Sequence, residues 1–149
     1  MLSKKSKFIL TIALVLVLCL SLCLVACDKT PDNTDNDLKE VVLIVGNAVI
    51  NATTEAQYVH DLLVELNANG DIQYEFENGA YGATVLKLNQ LETTNDWSKW
   101  IAVYHDIDDV TLYTPGYNYT LNGDEYYSSS VGVSSLPVID GATYVFVQQ

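Results

Sequence analysis

The run His105-Asp106-Ile107-Asp108-Asp109 gathers one imidazole and three carboxylates within five residues. Oxygen donors at that density suit calcium or another hard cation, and the imidazole adds affinity for zinc or a similar metal. The same composition describes a solvated acidic loop where a strand leaves its sheet, and that reading is preferred. Ser128-Ser129-Ser130 supply hydroxyls that His60 or His105, with an acid behind it, would have to activate. No strained strand-to-helix elbow presents them, so they read as loop. His60 falls on the polar side of a helical pattern and reads as exposed. Paired carboxylates prove nothing in a chain with nineteen acids. No enzyme is expected.

Aromatic density is the more informative pattern. All ten tyrosines and both tryptophans lie beyond residue 27, and nine of these twelve fall between Tyr81 and Tyr127. Tyrosine and tryptophan pair a broad apolar face with a polar handle, which suits half-wet surfaces for flat or glycan-like ligands. The ligand-binding candidates are Tyr81 with its neighbour Gly82, Trp97, Trp100, Tyr104, Tyr117, Tyr126 and Tyr127. Trp100 and Tyr104, evenly spaced on one strand, also read as core. Trp97, between Asp96 and Ser98, is the better candidate for exposure. The stretch from Asp108 to Ser130 holds five tyrosines among turn residues and reads as a binding loop.

Charge narrows the classes further. Seven lysines face nineteen acids, for a net −12, and there is no arginine. Three lysines (Lys4, Lys5, Lys7) precede an apolar run from Phe8 to Val25, so the chain beyond that run carries four lysines against all nineteen acids, net −15. A nucleic-acid partner is excluded, because phosphate neutralisation needs the cations this chain lacks. Anionic ligands are disfavoured for the same reason, and cations or neutral solutes favoured.

Lysines, an apolar run and then small residues form the layout of a secretory signal. Leu24-Val25-Ala26-Cys27 resembles the bacterial lipobox. That resemblance implies a lipoprotein signal peptide over residues 1–26, and a Cys27 that carries diacylglycerol and anchors the mature chain to the membrane from the extracytoplasmic side. With Cys19 and Cys23 removed, Cys27 is the last thiol, so neither a disulfide framework nor a thiolate zinc site is available. Residues 28–37 (DKTPDNTDND) contain no apolar side chain and read as a flexible tether.

The elements that must position these groups occupy residues 38–149. Val41 to Val45 is a β-branched run ended by Gly46-Asn47, with Ala48 to Ile50 as the return strand. Thr54 and Gln57 fit a capping box for a helix that buries Ala56, Val59, Leu62, Leu63 and Leu66 and stops at Asn69-Gly70. Downstream come strands at Ile72 to Glu77, Ala83 to Leu88, Trp100 to Tyr104 and Thr143 to Val147. Asn122-Gly123 marks a hairpin within Tyr117 to Tyr127. One helix among six or seven strands predicts an α+β domain without internal repeats.

In order and spacing, YxFENGAYGATVLKLNQL, WSKWIAVY and SVGVSSLPVIDGATYVFV resemble the transcobalamin C-terminal-like domain, a domain of unknown function common on bacterial lipoproteins. The resemblance covers about residues 40–148. It implies a single β-grasp-like domain, one helix on a mixed or antiparallel sheet, and ligand binding, with cobalamin or another corrinoid as the first candidate. In the vertebrate carriers a separate helical domain completes the site, so a transporter or second binding domain is an expected partner. The alternatives are a cell-surface module that binds glycan or protein, and a calcium- or metal-binding lipoprotein.

Overall fold

The computed structural model describes residues 38–149. The signal peptide, the tether and the lipidation expected at Cys27 lie outside the described residues. Nine strands and one helix follow one another as β1 (Lys39–Val45), β2 (Ala48–Thr54), α1 (Val59–Asn69), β3 (Tyr74–Gly79), β4 (Gly82–Leu88), β5 (Leu91–Glu92), β6 (Ile101–His105), β7 (Tyr113–Leu121), β8 (Asp124–Ser129) and β9 (Thr143–Gln148). The fold is α+β. A six-stranded sheet runs β2-β1-β9-β6-β8-β7, and a three-stranded sheet runs β3-β4-β5. The large sheet is mixed, because β1 and β9 are parallel while its other pairs are antiparallel.

Period-two alternation sorts each strand between two apolar layers. Val41, Leu43 and Val45 of β1 and Tyr144 and Phe146 of β9 face the main core. There they meet Val59, Leu62, Leu63 and Leu66 of α1 and Tyr74, Val85 and Leu88 of the small sheet. Val145 and Val147 point the other way, into a second cluster under Tyr104, Tyr119 and Tyr126.

Two expectations about local structure need correction. Thr54 does not cap the helix. Pairing with β1 carries β2 through Thr54, which is opposite Lys39, and the helix begins at Val59 after Tyr58 without a side-chain cap. Its first amides are met from elsewhere in the fold, Val59 N–H by Leu136 O at 2.9 Å and His60 N–H by Val133 O at 3.0 Å. Tertiary carbonyls thus take the place of a cap, and the Thr54 hydroxyl donates instead to Glu65 Oε2 at 2.6 Å.

The tyrosine-rich stretch is not a loop either. Most of it is the β7–β8 hairpin, closed at Asn122-Gly123, where both residues take positive φ, as a tight hairpin turn requires. Tyr119 lies opposite Tyr126, and Tyr127 stacks on Tyr113 with ring centroids 4.4 Å apart. Cross-strand aromatic pairs of this kind hold a hairpin together.

Candidate functional site

The seam between the two sheets opens into a cleft of about 370 Å³. Its floor and one wall are Ile101, Ala102 and Val103 of β6 with Phe146 of β9; the other wall is Ala83, Thr84 and Val85 of β4. Ser128, Ser129 and the segment Val131 to Val133 close one side, and Trp97 and Trp100 line it from the loop before β6. No charged side chain lines it, although residues 38–149 hold fifteen acids and three lysines.

Strand pairing explains why the seam is open. β6 pairs with β9 over all five residues but with β8 only at Tyr104 and His105. β4 pairs with β3 along its length but with the two-residue β5 only at Lys87 and Leu88. Ile101 to Val103 and Gly82 to Val85 therefore each present an edge without a strand partner among the described residues. Side chains answer part of each edge. Thr93 Oγ1 accepts the Ile101 amide at 3.2 Å and donates to Val85 O at 2.8 Å, tying the two edges at the base of the cleft. Ser134 Oγ accepts the Ala83 amide at 2.8 Å. The remaining edge atoms supply main-chain donors and acceptors to whatever enters.

Both tryptophans of the chain stand at this cleft, Trp97 59% exposed and Trp100 46% exposed. Trp100 stands one residue before β6 and continues its ladder with β9, its N–H donating to Gln149 O at 3.2 Å and its carbonyl accepting the Gln149 amide at 2.9 Å. Trp97 has a φ of +56°, a conformation rare for a bulky side chain. The loop that holds it is closed by hydrogen bonds. Asp96 Oδ1 accepts from Thr94 Oγ1 at 2.7 Å, Ser98 Oγ at 2.8 Å and Ser98 N–H at 3.1 Å, while Trp97 N–H donates to Thr94 O at 2.9 Å. The Thr94 hydroxyl first, then the Ser98 amide and hydroxyl, draw the Asp96 carboxyl down to about 2.

The other aromatic candidates are not part of this site. Tyr81 is almost fully exposed between β3 and β4. Gly82 has a backbone role, since at φ +98° an added Cβ would lie 2.8 Å from Ser134 Cβ. Tyr104 and Tyr126 seal the opposite face of the large sheet over Val145, with Tyr104 5.3 Å from Tyr119. Tyr117 is exposed on β7, and Tyr127 is engaged with Tyr113. Missing from the candidates were Val103, Phe146 and Thr84. Their strands were legible, but nothing in the sequence says that β8 leaves β6 after Tyr104.

The metal cluster does not assemble. His105 is fully buried and turned inward, its Nε2 3.0 Å from Leu112 O, while its Nδ1 has no partner. Asp106 Oδ1 accepts the Thr143 amide at 2.8 Å, and Asp109 Oδ1 accepts the Thr111 amide and hydroxyl. His105, the last residue of β6, faces the interior, while Asp106 is held at the surface by the Thr143 amide. Among the described residues no three His, Cys, Asp or Glu side chains form a metal-holding group.

Two of the three serines and His60 are engaged within the fold. Ser129 Oγ donates to Val131 O and Ser130 Oγ to Thr111 O. His60, expected to be exposed, is half-buried, its Nδ1 2.8 Å from Tyr74 Oη and its ring edge-on to Phe76.

No family model matches the chain, and no curated protein does. Among solved structures it is similar to a protein of Ruminococcus gnavus ATCC 29149 that has been suggested to bind metal. The identity is 16% and the TM-score 0.49, over 75% of this chain and 95% of the other.

Proposed function

We propose that this chain is a lipid-anchored, extracytoplasmic binding protein without catalytic activity, whose inter-sheet cleft takes an uncharged ligand with a flat apolar face. One observation carries the reading: in a domain of strongly negative charge, the two tryptophans line a cleft that has no charged residue. A neutral planar solute gains apolar burial and stacking there without desolvating an ion. The open edges of β4 and β6 add main-chain groups suited to amides or hydroxyls at the solute's rim. A corrinoid, the candidate implied by the resemblance to the transcobalamin C-terminal-like domain, carries charge at its cobalt and, in cobalamin, at a phosphodiester, so what suits this cleft is its uncharged ring edge with the amide side chains. The cleft volume is at the low end of the roughly 300–1,000 Å³ usual for small-molecule sites. A corrinoid would therefore be held by one edge, leaving the rest to a second domain or a transporter.

The test is titration of residues 38–149 with cobinamide and cobalamin, read by tryptophan emission, since both reporters stand at the site. Saturable quenching with a rise in melting temperature supports the reading. Flat emission up to about millimolar ligand overturns the corrinoid assignment, because weaker binding than that is useless for capture.

A second reading is a surface interaction module for a protein or glycan. The unpaired strand edges favour it, since an extended uncharged peptide can pair with such an edge. A thermal shift with a neutral β-forming peptide and none with corrinoids would select it.

A further inference from the structure

The conformation of Trp97 carries information that the cleft alone does not. A non-glycine residue at φ +56° holds its backbone in a region that L side chains disfavour, so it costs stability wherever it occurs. Among the described residues the two other non-glycine residues with positive φ are Asn89 and Asn122, the residue type that tolerates this region best. Trp97 stands apart from them. Its side chain does not offset the strain by burial, because more than half of it is exposed. The local chain is nevertheless firmly tied. Three donors converge on Asp96 Oδ1, Thr94 N–H donates to Lys99 O at 3.0 Å, and Lys99 N–H donates to Thr94 Oγ1 at 3.1 Å. Six residues are closed into a ring whose one bulky, strained, outward member lines the cleft.

We infer that Thr94, Asp96 and Ser98 form a clamp that holds Trp97 in a left-handed conformation and presents its indole to the ligand, so that these three are positioning residues and Trp97 is a binding residue kept at a cost in stability. The inference rests on the cleft being the binding site. Two of its readouts need no ligand, so its failure is separable from failure of that reading.

The first readout is stability order. At an ordinary φ, alanine is more stable than glycine because glycine loses more chain entropy on folding; at a left-handed position the order reverses. Trp97→Gly is expected to melt above Trp97→Ala by a few degrees. A Trp97→Ala that melts at or above Trp97→Gly overturns the strained conformation.

The second readout is mobility of the indole in a Trp100→Phe background, where Trp97 is the single tryptophan. Asp96→Ala should raise acrylamide quenching and lower emission anisotropy, while Asp96→Asn, which keeps an acceptor oxygen, should restore both. Indifference to Asp96→Ala, or equal effects of the two substitutions, overturns the clamp.

With cobinamide as probe and both tryptophans present, Asp96→Ala should weaken binding by about tenfold and Asp96→Asn by much less. Full affinity in Asp96→Ala overturns the positioning role. Absence of binding by the parent chain overturns Trp97 as a corrinoid contact, and the first two readouts still decide the clamp.

Discussion

Thr93 is joined to Ile101 across the seam between the two sheets: its hydroxyl accepts the Ile101 amide at 3.2 Å while donating to Val85 O at 2.8 Å. Thr93 is buried, so neither main-chain group has water as a ready substitute. That hydroxyl links the edge of β4, just before its pairing with β5 begins, to the first residue of β6, at the end of the segment that β8 leaves unpaired.

Replacing Thr93 by valine preserves shape and removes the bridge. The variant should lose about 1–3 kcal/mol of stability in urea unfolding, the cost of leaving buried polar groups unpaired. Thr93→Ser should recover most of the loss, because it keeps the oxygen. A Thr93→Val as stable as the parent would show that the seam needs no bridge.

Asp106 and Asp108 separate a structural role from a metal role. If they acted together on a cation, both substitutions would matter and added calcium would raise the melting temperature. The Asp106 carboxylate instead holds the first amide of β9. Asp106→Ala should therefore cost about 1 kcal/mol, and Asp108→Ala should stay within about 0.5 kcal/mol of the parent. Calcium should leave the parent's melting temperature unchanged; a calcium-dependent rise in the parent that is lost in both variants would restore the metal reading.

Strands around Val41, Ala83, Ile101 and Thr143 were legible because period-two alternation and β-branched runs are local signals. So was the hairpin at Asn122-Gly123. The helix start was not, since the carbonyls that meet its first amides come from Val133 and Leu136, far along the chain. Trp97 and Trp100 were legible as candidates by type, but their cleft was not. It exists because two pairings stop early, a register property that side-chain composition does not encode. The inward turn of His105 was hidden too, because a histidine that ends a strand looks the same in sequence whether the last residue points in or out.

Tyr144 makes an alkaline prediction. Fully buried, its hydroxyl donates to Pro137 O at 2.7 Å and accepts the Ile139 amide at 2.9 Å. Burial pushes its ionisation up to about 12, against partial opposition from the Ile139 amide, and burial raises that of Tyr74 as well. The native state then keeps protons that the unfolded chain releases near pH 10, so the contribution of these tyrosines should be level below pH 10 and fall between about 10 and 12. Tyr144→Phe should cost about 1–2 kcal/mol at neutral pH and make the alkaline decline shallower. An unchanged decline in urea midpoints against pH would remove Tyr144 as its source.

The Asp96 clamp makes the opposite, acid-side prediction. The Thr94 hydroxyl and the Ser98 amide and hydroxyl hold the carboxyl at about 2, below the ordinary aspartate value of 3.8. A depressed carboxylate contributes its stabilisation fully above the unfolded value and loses it as pH falls towards the folded one. The loop around Trp97 should accordingly stay closed from neutral pH to about 4 and open between about 4 and 2. In a Trp100→Phe background, acrylamide quenching of Trp97 should be flat over the first range and climb over the second. Asp96→Asn has no proton to gain at that position and should remove the climb while leaving the neutral-pH value unchanged. Far-ultraviolet circular dichroism over the same range separates this local opening from global acid unfolding. A climb that persists in Asp96→Asn with constant circular dichroism would mean that some other acid governs the loop, and Asp96 would lose its place as the group that holds Trp97 against the cleft.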